Sequence, residues 1–136
     1  MEIDVEERGD AVIVTPEDRL DLLGYLELEE ALGELVREGH RRLVLDLQSV
    51  GFMNSTAMAV VHRYSLQTKE MGGGLVLANA NRSVQGVLDL GGLSELVTIC
   101  ETVDAAVKAL AARKKDETDK HKTGGQPAGS TDTKTA

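Results

Sequence analysis

Tryptophan is absent, and two tyrosines and one phenylalanine make up the whole aromatic content of the 136 residues. A hydrophobic core in this chain is therefore built from Leu, Val, Ala and Met. Cysteine is almost absent as well. Cys100 alone excludes an internal disulfide and any cysteine-based metal spacing, and it fits a reducing compartment. No apolar run approaches the roughly 18 residues that a membrane-crossing helix needs. The first residues are acidic and do not read as a signal peptide. The expectation is a cytoplasmic protein with no membrane partner.

Positive charge is also in short supply. The net charge is −8, and the last 24 residues hold six Lys/Arg against four Asp/Glu, leaving −10 on the first 112. Such a body repels phosphate backbones, so no nucleic acid partner is expected. The charge reads first as a device for solubility, and in the functional alternative as steering toward a basic protein surface.

Hydrophobic content is 41%, enough for one domain of this length to bury a core without staples. Ile3 and Val5 alternate with acids, and Gly9-Asp10 separates them from Val12 and Val14, which reads as a hairpin. Pro16 ends the second strand because it cannot donate to a ladder. From Tyr25 to Arg37, Leu28, Ala31, Leu32, Leu35 and Val36 form one stripe of a helix closed by Gly39. Leu43–Leu47 is a buried strand. A helix from about Ser55 to Met71 follows, then the stop Gly72-Gly73-Gly74 and a strand at Leu75–Ala78. Val84, Val87 and Leu88 mark a short helix ended by Gly91-Gly92. Val97–Ile99 is a small last strand, and Thr102 caps a final helix with Val103, Ala106, Val107 and Leu110 inward. Alternating strands and helices imply an α/β domain with at least one parallel crossover, and the opening hairpin makes its sheet mixed. From about Lys114 the periodicity vanishes into Lys, Asp, Thr, Gly and Ser. Residues 1–112 are read as the domain and 113–136 as a disordered polar tail.

Most of the functional information lies between residues 43 and 71. A strand, a short loop and then Asn54-Ser55-Thr56 bring small polar side chains to a helix N-terminus, where free N–H groups and the positive end of the dipole meet. Ser55 reads as an N-cap, with Asn54 as the alternative cap that would free the Ser55 hydroxyl. Met53 and Met58 flank the hydroxyls, and core packing claims at least one of them. Catalytic readings fail. Ser55 and His62 are seven residues apart on one helix, about 10 Å by rise, too far for a nucleophile and its base. Gly72-Gly73-Gly74 follows a helix and precedes a strand, the reverse of a phosphate-binding loop. Asp46 is placed inside a strand, not at its C-terminal end as in a response-regulator receiver. No catalytic constellation, metal site or cofactor site is read, so the protein is expected not to be an enzyme.

Phe52-Met53-Asn54-Ser55-Thr56-Ala57-Met58 resembles the signature of the STAS domain, the fold of bacterial anti-sigma-factor antagonists. The resemblance runs from about residue 3 to about residue 110. It includes the turn into Leu75–Leu77 and the Val84–Leu96 helix and turn. In that family the motif carries Asp and Gly where this chain has Asn54 and Ala57. The resemblance implies a single domain with a mixed β-sheet of about four to five strands and helices mainly on one face. It implies phosphorylation of Ser55 by an anti-sigma factor that is a serine kinase of the ATPase type, with Asp21, Met53, Asn54, Ser55, Thr56 and Met58 on the partner-binding surface. The alternative within the family is a STAS interaction module that is not phosphorylated, such as a scaffold or a transport-system subunit, with Ser55 only a cap. A small-ligand or nucleotide-binding module is the third class. Asp21 reads equally as a solvated loop acid beside Glu17 and Asp18. Asn54 in place of Asp removes a charge beside the hydroxyl, which eases phosphate addition but also removes an acidic contact to a kinase.

Overall fold

Three short strands alternate apolar residues to both of their sides, and that alternation sets the architecture. The structure, a computed structural model, describes residues 3–20 and 24–123, with side chains described for these except at 18–20 and 114–123. In chain order the elements are β1 (Ile3–Arg8), β2 (Ala11–Pro16), β3 (Asp18–Leu20), α1 (Gly24–Arg37), β4 (Arg42–Asp46), β5 (Val50–Met53), α2 (Ser55–Glu70), β6 (Gly74–Ala78), α3 (Arg82–Leu90), a 3-10 turn (Leu93–Glu95), β7 (Ile99–Cys100) and α4 (Val103–Thr123).

The main sheet has the order β1-β2-β4-β6-β7. The β1–β2 hairpin is antiparallel, running from Ile3 opposite Pro16 to Arg8 opposite Ala11. The other three pairings are parallel. Val12, Leu43 and Leu75 stand in one row, and Val14, Leu45 and Leu77 in the next alternate row. Both rows face a layer made by α1, α2 and α3, where Leu28, Leu32, Ala57, Val61, Val84 and Leu88 close the larger core. The intervening row, Ile13, Val44 and Val76, faces the other way and is covered by Ala106 and Leu110 of α4. Period-two side chains buried on both faces explain why β4 and β6 read as continuous apolar runs. This is the expected mixed sheet with helices mainly on one face.

Helices α1 and α2 end alike. His40 N–H donates to the Leu35 carbonyl and Gly39 N–H to that of Val36, both at 3.0 Å, while Gly73 N–H donates to Thr68 at 2.9 Å and Gly72 N–H to Lys69 at 3.0 Å. These paired bonds form a Schellman stop, which needs a left-handed residue; Gly39 and Gly72 supply it at φ 96° and 90°. Gly73 is required for another reason. A Cβ there would collide with the Arg41 carbonyl oxygen, because the chain entering β6 passes directly against the chain entering β4.

Several boundaries differ from the sequence reading. The segment between β4 and α2, expected to be a loop, contains β5, which pairs in parallel with β3 as a second, two-stranded sheet. Neither strand is self-evident from pattern: β3 is three residues among acids, and β5 carries Gly51. The last strand lies at Ile99–Cys100 instead of Val97–Ile99, since Val97 is drawn into the core. Asp46 is the last residue of β4 rather than an interior one. Leu47 leaves the ladder to bury itself, its N–H donating to the Ala78 carbonyl at 2.8 Å. Helical backbone of α4 continues to Thr123, past the last patterned residue, Leu110; residues 124–136 of the expected tail lie outside the described residues.

Two glycine substitutions should move stability in opposite directions. Gly73→Ala should cost more than about 2 kcal/mol, because backbone must shift to relieve the contact with Arg41. Gly86, in mid-α3 with nothing within 4 Å of where an alanine methyl would stand, should gain about 0.5–1 kcal/mol on conversion to Ala. Urea unfolding of both variants checks the pair; equal behaviour would contradict the close approach at Gly73.

Candidate functional site

The start of α2 is the place where the sequence put its hydroxyl pair, and the structure leaves both side chains in solvent: Ser55 and Thr56 are exposed. The cap is Asn54. Its backbone is extended at φ −94°, ψ 174°, and its Oδ1 accepts from Ala57 N–H at 2.8 Å. Asn54 also accepts through its carbonyl from Met58 N–H at 3.1 Å. An amide oxygen thus occupies the role that Ser55 would otherwise fill. Among the described residues the Ser55 hydroxyl has no hydrogen-bond partner. Of the two roles read for Ser55, capping belongs to its neighbour.

The methionines divide. Met53 is 1% exposed and belongs to the main core, so its place on the predicted contact surface is corrected: β5 turns its side chain inward. Met58 is half-buried on the first turn of α2, and its Sδ and Cε lie about 3 Å from where a Cβ on Gly91 would stand. Its exposed part lies on the same helix end as Ser55. Phe52, absent from the predicted contact residues, is 36% exposed immediately before Met53. Its signal was present in the sequence as the aromatic residue opening the motif. Asp21 lies outside the described residues. Strand β3, which ends one residue before it, is in register with β5 so that Leu20 pairs with Met53.

Neighbouring elements hold this helix end in place. Asn81 caps α3, accepting from Val84 N–H at 2.7 Å, and donates from Nδ2 to the Val50 carbonyl at 3.2 Å, tying α3 to β5. At the end of β4 the buried Asp46 carboxylate accepts from Gln48 N–H at 3.1 Å, Gln48 Nε2 at 2.8 Å and Asn79 Nδ2 at 3.0 Å. Asp46 is thereby a structural acceptor that fixes the turn out of β4. No group of three or more His, Cys, Asp or Glu side chains that could hold a metal occurs among the described residues, and no helix among them is long and apolar enough to cross a membrane. His62 sits two turns along α2 from Ser55, too far to act on it. The arrangement offers a solvent-facing hydroxyl at a helix N-terminus, edged by apolar side chains.

Comparison with known proteins follows the same line. The STAS domain family profile matches residues 2–106, and the chain belongs to that family. BtrV of Bordetella bronchiseptica, named as a candidate anti-sigma factor antagonist, is 30% identical over 84 residues, covering 62% of this chain and 72% of that protein. A candidate anti-sigma factor antagonist of Thermotoga maritima has a crystal structure that superposes with a TM-score of 0.75 at 23% identity, covering 80% of this chain and 94% of that one. The anti-sigma factor antagonist SpoIIAA in its unphosphorylated form superposes at 0.70 with 16% identity, covering 82% and 97%. The two structures speak for the fold.

The capping assignment makes a direct prediction. Asn54→Ala should lower stability by about 1 kcal/mol, within the roughly 0.5–2 kcal/mol range of lost N-caps. Asn54→Asp should keep the cap and add up to about 1 kcal/mol at neutral pH by placing a carboxylate against the helix dipole. Chemical denaturation of the two variants beside the parent measures this. An Asn54→Ala protein as stable as the parent would mean that Ser55 is able to take over the cap.

Proposed function

We propose that this protein is an anti-sigma factor antagonist. Its unphosphorylated form docks the start of α2 on an anti-sigma factor that is also a serine kinase, and phosphorylation of Ser55 releases it. The observation that carries this reading is the division of labour at the helix start: Asn54 caps α2, and the Ser55 hydroxyl is left exposed and unengaged. The name borne by BtrV supports the antagonist role. The protein is the substrate and ligand in this scheme, with the partner supplying ATP chemistry: the terminal phosphoryl group passes to Ser55 Oγ, ADP leaves, and the hydroxyl proton goes to a base of the kinase.

The contact surface comprises Asn54, Ser55, Thr56, the exposed part of Met58 and Phe52. Flexible methionine and one aromatic ring supply the apolar contact. A net −10 over the first 112 residues favours approach to a basic partner surface.

A phosphate at this position is compatible with the protein's own fold. It adds about 1.5 to 2 negative charges beside unsatisfied N–H groups at a helix start, a placement worth typically about 0.3–1 kcal/mol in its favour. The helix therefore stays folded, and the charge acts on the partner. A close interface that must desolvate the dianion loses affinity, by far more than the fold gains.

Incubation with ATP and a cognate anti-sigma kinase should place one phosphate on the chain. Ser55→Ala should abolish it and Thr56→Ala should leave it. Transfer of the label to Thr56 would move the site by one residue, and a chain that binds the kinase without ever accepting phosphate would identify a constitutive interaction module.

The charge mechanism has its own check. Ser55→Glu should weaken partner binding at least about tenfold, equal to roughly 1.4 kcal/mol, while its melting temperature stays within a degree or two of the parent. Loss of affinity together with a collapse in melting temperature would show that Ser55 is needed by the fold, and the surface switch would be abandoned.

A further inference from the structure

At the end of α2 remote from Ser55, strands β6 and β7 diverge. Their pairing covers only Leu77 with Ile99 and Ala78 with Cys100, so the first half of β6 faces a gap instead of a neighbour. The gap is a cavity of about 410 Å3, open on one side. That size lies within the range of small-molecule sites. The last turns of α2 wall it on one side and Arg113 of α4 on the other.

Two features of the lining are unusual for this chain. The first is charge. The described residues of the lining include Lys69 and Arg113 and no acid, in a protein whose first 112 residues carry −10. Lys69 is exposed and forms no ion pair among the described residues. Arg113 is braced by a 2.8 Å bond from Nη2 to Thr98 Oγ1, and its Nη1 lies over Gly74, in the space a Cβ would take. Only a glycine leaves that guanidinium its place. The second feature is apolar exposure. Leu66 and Leu96 line the opening at 51% and 59% exposure, while Leu75 and Val97 close the floor and are buried. Two cations and two solvent-facing leucines around one opening complement a molecule that has both an anionic head and an aliphatic body.

We infer that the cavity between the start of β6 and the Leu96–Thr98 segment that leads into β7 is a binding site for a small amphipathic anion, an aliphatic carboxylate or alkyl phosphate. Lys69 and Arg113 take the head group, and Leu66 and Leu96 take the chain. The site lies about 21 Å along α2 from Ser55, by helical rise from residue 55 to 69. It does not depend on Ser55 being a phosphoacceptor.

The test uses the full chain, isotopically labelled, and the probes octanoate and octyl phosphate, with octylammonium as the opposite-charge control. At least one of the two anions should shift the amide signals of Gly72, Gly73 and Leu75 and of Leu96 to Thr98, saturably and at millimolar concentration or below. Octylammonium should leave them unmoved. Lys69→Glu, at an exposed position, should weaken binding at least about tenfold, and Arg113→Gln should weaken it independently. Failure of both anions to bind overturns the inference. So do equal shifts with octylammonium, shifts centred elsewhere on the protein, and affinity unchanged in both variants.

Discussion

The parallel register of β4 against β6 is the constraint on which the remaining structure rests. Leu43 opposite Leu75 and Leu45 opposite Leu77 send one pair of rows to the three-helix layer, while Val44 opposite Val76 goes to α4. A slip of one residue would exchange the two sets and present leucines to the narrower face. Each of these leucines is fully buried, and such a side chain contributes about 1.5–3 kcal/mol. The register is therefore enforced by several mutually dependent contacts. The close passage at Gly73, against Arg41, locks the entry to both strands in the same register.

That register also determines where the functional helix begins. A chain leaving β4 at Asp46 has to cross the sheet's C-terminal edge before it can descend as α2 and enter β6. The crossing is short and heavily tied. Asp46 gathers Gln48 and Asn79, Leu47 is pinned to Ala78, and Asn81 reaches from α3 to Val50. Ser55 is exposed because it stands at the top of this bound edge, on the first turn of a helix whose inner positions, Ala57, Val60 and Val61, are taken by the core. Its surroundings are tied by side-chain hydrogen bonds from β4, α3 and the turn between them.

The two ends of α2 thus differ in chemistry. The N-terminal end exposes N–H groups and hydroxyls, suited to a negative group added covalently. The C-terminal end exposes Lys69 near the helix carbonyls, with Arg113 across the gap left by the short β7. The groups presented differ in kind: backbone N–H groups and hydroxyls at one end, side-chain cations at the other.

Strand and helix order were legible because burial on both faces leaves continuous apolar runs at Leu43–Leu45 and Leu75–Ala78, and because the helix stops are written as glycines. The position of Ser55 at a helix start was legible for the same reason, as were the two candidate caps. The sequence could not choose between Asn54 and Ser55 as the cap, since either side chain can accept a backbone N–H of the first turn; that choice is made by the extended backbone at Asn54, which follows from the direction in which β5 delivers the chain. Nor could it separate Met53 from Met58, two equally apolar neighbours of the hydroxyls. The alternation of β5 turns one into the core, and helical spacing leaves the other at the surface. Strands β3 and β5 escaped notice because three and four residues carry too little pattern; they exist through pairing with each other. The cavity at Lys69 and Arg113 has no local signature at all, for its walls lie 44 residues apart in the chain and meet only because β7 ends its pairing after two residues. Local pattern determined which residues are buried and where helices begin and end; long-range register alone decided which of the exposed residues share a surface.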